Sequence, residues 1–250
     1  MASQVAHQRI VSTADIKRLG TILSVWAHPD DESYLAAGIM ATAVVQGQQV
    51  ICVTATKGEA GSQDEVKWPP ATLGEVRATE LAAALKELGI TQHHWLGYGD
   101  GRCAAVPSAE AVAQLKSLIE RYHPDTILTF GPEGMTGHPD HATVSRWVDQ
   151  AVEGLAEPPV IYHAVHTPEQ YEQIKPADQK LNIFYNIDAP PLIEPAQCDI
   201  HFELPTAAMD AKHRALAAMP SQTEAMLRFF DRTFLDKAFS IEAFRRAPTA

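Results

Sequence analysis

Two hydrophobic patterns alternate along the first half of the chain. Four short runs, 21–26, 50–55, 93–98 and 126–130, are rich in β-branched and aromatic residues, and the first and last (TILSVW and TILTF) are apolar nearly throughout. Between them, 34–46, 73–88 and 108–122 carry Ala and Leu at the spacing of one helix face. Gly47 and Gly89 follow two of these segments, where helix C-caps are expected. Strand alternating with helix predicts βαβ units feeding a mostly parallel sheet. Runs apolar on both faces predict strands covered by helices on both sides.

Beyond Arg146 the pattern changes. Runs 160–165, 182–187 and 199–204 read as further strands, the last two separated by the Pro-rich stretch APPLIEPAQ. Helical patterns follow over 206–218 and 222–244. The expectation is an α/β fold: one domain over 1–250, with a Rossmann-like, mostly parallel core over 20–150 and helices on both faces. A smaller C-terminal β/α portion over 155–250 completes it. Five of the eight Phe fall between 229 and 244. A helix packing that stripe on the core is the expected reading, with a homo-oligomer interface the other use of such a face.

Composition narrows the partners. Among 250 residues, 46% hydrophobic and 20% charged, 20 Lys+Arg stand against 31 Asp+Glu, a net charge of −11. That balance disfavours a nucleic-acid backbone or an anionic membrane surface as partner, since both attract basic patches. The longest apolar stretch, 35–45, is far below the ~20 residues that span a bilayer. The first twenty residues lack the charged start and apolar run of a signal peptide. Three scattered cysteines make no disulfide framework and no CxxC pair. The expected location is the cytoplasm. No GxGxxG follows the first strand, and GxxxxGK[ST], GxSxG and HExxH are absent, so nucleotide-cofactor and serine-hydrolase chemistry have no motif.

Two motifs do carry chemistry. AHPDDE (27–32) directly follows the first strand, and GHPDH (137–141) comes shortly after the fourth. In an open sheet of order 3-2-1-4-5 these strands are neighbours, and ligands bind at their carboxyl ends. His28, Asp31 and His141 are two imidazoles and a carboxylate, the donor set of a catalytic zinc-type site with one position open for water. Asp30 is then free to take a proton from the activated water. His138, one turn before His141, is placed to protonate a leaving group or stabilise an oxyanion. Asp140 is placed to accept an imidazole N–H. Each of these Asp residues alone reads equally well as a helix N-cap, and each His as an ordinary surface or core residue. Two such motifs after neighbouring strands favour the metal site.

With both motifs in full, the sequence resembles the LmbE/PIG-L family of metal-dependent N-acetylglucosamine deacetylases. TKGEAG (56–61), RATEL (77–81) and WLGYGDG (95–101) resemble family segments in the same order, and CDIHFELP and KHRALAAMPSQ resemble its closing strand and helix. The likeness runs to about Gln222. It implies zinc, or another divalent transition metal, on His28, Asp31 and His141. It implies Asp30 as general base, and His138 as the acid or oxyanion-stabilising group supported by Asp140. It also implies that Arg77 and Asp100 hold substrate hydroxyls. Read without the family, Arg77 is an i,i+3 partner of Glu80 and Asp100 a turn residue. The chain departs from the mycothiol branch at Thr136, where that branch has Tyr, and at MPSQ (219–222), where many relatives have His before SQ. The implied activity is hydrolysis of the N-acetyl group of a GlcNAc-type sugar conjugate. A metal-dependent amidase of a thiol conjugate, another metallohydrolase such as a phosphoesterase, and a non-catalytic sugar- or metal-binding module are the alternatives.

Overall fold

The computed structural model describes residues 9–248. A helical turn, α1 (Thr13–Ile16), precedes β1 (Ile22–Trp26). Helices α2 (Asp31–Leu35) and α3 (Ala37–Val45) lead to β2 (Val50–Thr56), α4 (Pro70–Glu87) to β3 (Gln92–Tyr98), and α5 (Ser108–Tyr122) to β4 (Thr126–Phe130). Next come α6 (Pro139–Val152), β5 (Val160–Ala164) and α7 (Pro168–Leu181). The chain ends through β6 (Ile200–Glu203), α8 (Thr206–Ala217), α9 (Pro220–Phe229), α10 (Arg232–Ala238) and β7 (Ile241–Arg246).

The seven strands form one sheet in the order β3-β2-β1-β4-β5-β7-β6. The first five are parallel in the 3-2-1-4-5 arrangement expected from the alternating pattern; β7 runs antiparallel between β5 and β6. Ile22 of β1 pairs with Val50 on one side and Thr126 on the other. Every residue of β1, β2 and β4 is buried, which is why their sequences show no alternation. The carboxyl ends of β1 and β4 therefore lie side by side, and both motifs leave the sheet there. Among the described residues no helix is long and apolar enough to cross a membrane.

Four local expectations need correction. The single helix over 34–46 is two helices, broken at Ala36 (φ −140°). The break is held from both sides by a buried ion pair. Lys212 Nζ donates to the Tyr34 carbonyl at 2.7 Å, while the Glu242 carboxylate accepts the Gly38 and Ile39 amides at the start of α3, both at 2.8 Å. Lys212 and Glu242 meet at 2.9 Å with both side chains 1% exposed. A cation on a C-terminal carbonyl and an anion on N-terminal amides each match the local helix dipole.

The run 182–187 is not a strand. Asn182 adopts left-handed backbone (φ 54°) that ends α7, and the Asp178 carboxylate captures the Phe184 amide at 3.0 Å. Helix α7 itself went unpredicted, although Thr167 and Gln170 form a capping box ahead of it and Pro168 occupies its first position. The segment 222–244 is not one helix; it holds α9, α10 and then the sheet strand β7. Its Phe residues divide accordingly: Phe239 and Phe244 are buried, Phe230 and Phe234 stack on each other, and Phe229 is half exposed.

Candidate active site

His28 and Pro29 lie in the turn after β1, Asp30 ends that turn, and Asp31 starts α2. His138 is the N-cap of α6, with Asp140 and His141 in its first turn. The strand order alone thus brings the two motifs together. His28 Nδ1 and His141 Nε2 stand 3.1 Å apart, and the Asp31 carboxylate lies 3.7 Å from the first and 3.3 Å from the second. All three residues are buried.

The outer edges of the two rings fix which nitrogens face inward. His141 Nδ1 is 3.0 Å from the Gly134 carbonyl, which can only accept, so Nδ1 carries hydrogen and Nε2 presents a lone pair. His28 Nε2 faces two carboxylates, Asp100 Oδ1 at 3.0 Å and Asp140 Oδ2 at 3.4 Å, so its Nδ1 presents the other lone pair. Two lone pairs and a carboxylate at these separations form a donor set for a cation. Burial works against charge on His28, yet its hydrogen bonds to Asp100 and Asp140 prevail and raise it to about 10. In the chain alone a proton on His28 Nδ1 fills that place and points at His141 Nε2. The donor set fits a zinc-type metal, with carboxylate–imidazole support behind one ligand.

Local folding keeps this arrangement in place. The Asp31 carboxylate accepts the His28 amide at 2.8 Å, which ties the turn to the helix start. The His141 ring stacks on Phe130 of β4, centroids 4.1 Å apart and 8° from parallel. Gly134 has φ +77°, and a Cβ there would lie 2.9 Å from the Ala142 amide and 3.1 Å from the His141 Cβ. The carbonyl that orients His141 thus comes from a position open only to glycine.

Asp30 is the strained residue. Its φ of 124° is a region few non-glycine residues enter. Buried Glu32, the last residue of the first motif, accepts the Asp30 amide at 3.0 Å and helps hold that conformation. Burial pushes the Asp30 carboxyl up to about 7 against the pull of Arg77, whose Nη2 lies 3.4 Å from Oδ1. His138 packs edge-on against His28, centroids 4.7 Å apart, and its Nδ1 accepts the Asp140 amide at 3.2 Å, leaving Nε2–H to face the cavity. Burial first, then the charge on His28, lowers its pKa.

Asp140, Arg77 and Asp100 each bond to other parts of the chain around the cavity. The imidazole that Asp140 supports is His28, not His138, and its carboxylate also accepts the Gly101 and Cys103 amides at 2.7 and 3.1 Å. Arg77 and Asp100 both reach the cavity but bond inward. Arg77 donates to the Pro29 and Gly58 carbonyls at 2.5 and 2.8 Å, bracing the turn that carries Asp30; it has no bond to Glu80. A Cβ at Gly58 would collide with its guanidinium. Asp100 accepts the Ala60 amide at 2.9 Å besides facing His28. Glu80 instead reaches across to Ser221 at the start of α9, accepting its amide at 3.0 Å and its hydroxyl at 2.5 Å. That link places Gln222 beside Gly61 on the cavity wall. Glu80, Ser221 and Gln222 were given no site role from sequence; their only signals were the Glu within RATEL and the Ser-Gln pair within MPSQ.

His28, Asp31 and His141, together with Asp30, His138, Arg77 and Asp100, all open on one cavity of about 710 Å³. The chain matches the family model described as PIG-L, GlcNAc-PI de-N-acetylase, over residues 23–152. It is 34% identical over 243 residues to the 1D-myo-inositol 2-acetamido-2-deoxy-alpha-D-glucopyranoside deacetylase of Nakamurella multipartita, covering 82% of this chain and 80% of that one. It is 38% identical over 164 residues to the protein of the same name from Streptomyces avermitilis, covering 55% of this chain; the match spans about half of that relative, 54%. The N,N'-diacetylchitobiose deacetylase of Pyrococcus horikoshii shares the fold, with a TM-score of 0.61 at 21% identity over 93% of this chain and 85% of that one.

Proposed function

Because the chain belongs to the PIG-L family, we propose that it is a metal-dependent N-deacetylase that hydrolyses the acetamide of a GlcNAc-type sugar conjugate. The observation that carries the reading is the meeting of His28 Nδ1, His141 Nε2 and the Asp31 carboxylate within 3.7 Å, with the carboxylate of Asp30 next in sequence. These three residues hold the metal, zinc in our reading. A divalent ion bound there supplies a Lewis acid that polarises the amide carbonyl and makes water more acidic.

The rest is done by the chain's own groups. Asp30, which lines the cavity beside the ligand trio, takes the proton of the attacking water. It then passes that proton to the departing amine nitrogen. His138 donates Nε2–H to the carbonyl oxygen as negative charge develops there. Its Nδ1 accepts the Asp140 amide, so Nε2 carries the hydrogen that it donates. Arg77 holds the turn that aims Asp30, and Asp100 and Asp140 hold His28. Gln63 and Gln222, whose Nε2 groups donate to the Gln222 and Gly61 carbonyls, keep their Oε1 atoms to accept from sugar hydroxyls. The strain at Asp30 fits this assignment, because costly backbone persists where function needs the side chain so placed. Three buried free cysteines suit a reducing cytoplasm, where we place the protein.

The test is metal analysis of purified protein, followed by acetate release from GlcNAc and its glycosides before and after chelation. About one equivalent of metal, with release that stops on chelation and returns with zinc, is the expected result. Acetate release unaffected by stripping the metal would refute the reading.

A further inference from the structure

The cavity is larger than the metal centre needs, and its two walls differ in chemistry. One wall, from the 57–63 loop, Arg77, Asp100 and Gln222, is polar. The other is built by Ile174 and Leu181 of α7, Phe184 of the following turn, Met226 of α9 and Phe239 after α10. Phe184, Met226 and Phe239 are each 5% exposed, so they form a made apolar surface and not a solvated rim. Tyr34 of α2 packs on Phe239, centroids 5.5 Å apart, and carries the apolar wall up to the turn that holds the metal ligands.

Two of the polar side chains on this side are already bonded, while the His166 ring, edge-on to Phe184 with centroids 5.4 Å apart, has no hydrogen-bond partner. The Gln170 side chain donates to the Ile241 carbonyl at 3.0 Å and accepts the Thr167 amide at 2.9 Å. Glu242 is bound by Lys212 and two helix amides. Lys180 and Asn182 are exposed at the edge. A polyhydroxylated ring such as inositol, pressed against this wall, would find His166 as a partner and leave its other hydroxyls on that face unpaired, and each such loss is costly. An alkyl or aryl group has no such demand and gains from the burial.

We propose that the substrate carries an apolar alkyl or aryl group beside the scissile amide, seated against Ile174, Leu181, Phe184, Met226 and Phe239. The inference rests on the deacetylase reading for the sugar and the amide, and extends it to the substrate's other end. It separates this chain from relatives whose named substrate bears an inositol. Either of two substituents supplies the chemistry: the aglycone of the glycoside or the chain of the N-acyl group.

Calorimetric binding to the metal-loaded protein distinguishes them, using methyl and octyl glycosides of GlcNAc and the methyl glycoside of N-octanoylglucosamine below micellar concentrations. The octyl glycoside or the octanoyl amide is expected to bind at least ~10-fold tighter than the methyl glycoside of GlcNAc. Met226→Gln is expected to erase that gain while the methyl glycoside of GlcNAc binds as before. Should that variant fail to fold, Ile174→Gln, at a partly exposed position, makes the same test. A gain confined to the octyl glycoside assigns the wall to the aglycone; one confined to the octanoyl amide assigns it to the acyl chain. Equal affinity for all three ligands overturns the proposal, even if acetate is released from the methyl glycoside. Tight octyl or octanoyl binding without release of either acid removes the deacetylase reading and leaves the apolar seat standing.

Discussion

Asp100 Oδ1 lies 3.0 Å from His28 Nε2, on the ring edge opposite the one that meets His141. A residue with the look of a loop-borne sugar contact thus stands behind a histidine of the proposed metal site. Asp100→Ala is expected to weaken metal retention by about 10–100-fold, the usual effect of removing such a partner. Competition with a chelator measures it. If the variant holds metal normally and shows only a raised KM, Asp100 is a substrate contact instead.

Asp30→Asn keeps the shape of the side chain and tolerates the positive φ of 124°. It removes only the ability to take a proton. Metal content and melting temperature should stay near wild type while kcat falls by roughly 10²–10⁴-fold. Near-normal turnover in the metal-loaded variant would remove Asp30 from the role of base.

Gly134→Ala forces a Cβ to within 2.9 Å of the Ala142 amide at a backbone φ of +77°. The expected cost is about 1–3 kcal/mol, felt first in the loop that orients His141. Thermal unfolding should show a lowered midpoint and metal titration a weaker site. A variant unchanged in both would show that this loop has room to adjust.

Lys212→Met leaves the Glu242 carboxylate buried without its cation and should destabilise the protein by about 3–5 kcal/mol in denaturant titration. The double variant Lys212→Met/Glu242→Leu removes both charges and should recover part of that loss. The double variant forfeits the two helix-start bonds that Glu242 accepts, so recovery stays incomplete. A double variant less stable than the single one would mean that Glu242 anchors α3 without needing Lys212.

Much of the site was legible because two local signals reinforce each other. The apolar runs at β1 and β4 are short and continuous, and parallel order follows from the helices between them; each motif begins within a few residues of a strand end. The partners of Asp100, Arg77 and Glu80 were not legible, because they depend on which way a loop or helix turns in space. Glu80 and Ser221 are 141 residues apart, and no local pattern announces their pairing. The errors beyond residue 146 have a similar origin. NIFYNI has strand-like residues, but the Asp178 carboxylate claims the Phe184 amide and turns the segment into cavity wall. IEAFRR follows two helices, α9 and α10, with one Phe each, and only its pairing with Phe202 and His163 on its two flanks makes it a strand.

His28 and His141 are 113 residues apart, joined only when β4 docks on β1. A nascent chain that has completed its first two βαβ units possesses one imidazole and one carboxylate, a poor match for a metal that wants three protein donors. A metal held by the proposed trio would therefore bind only once the centre of the sheet has closed, unlike small zinc modules in which the ion drives folding. Bound metal would then report that the sheet has been threaded correctly.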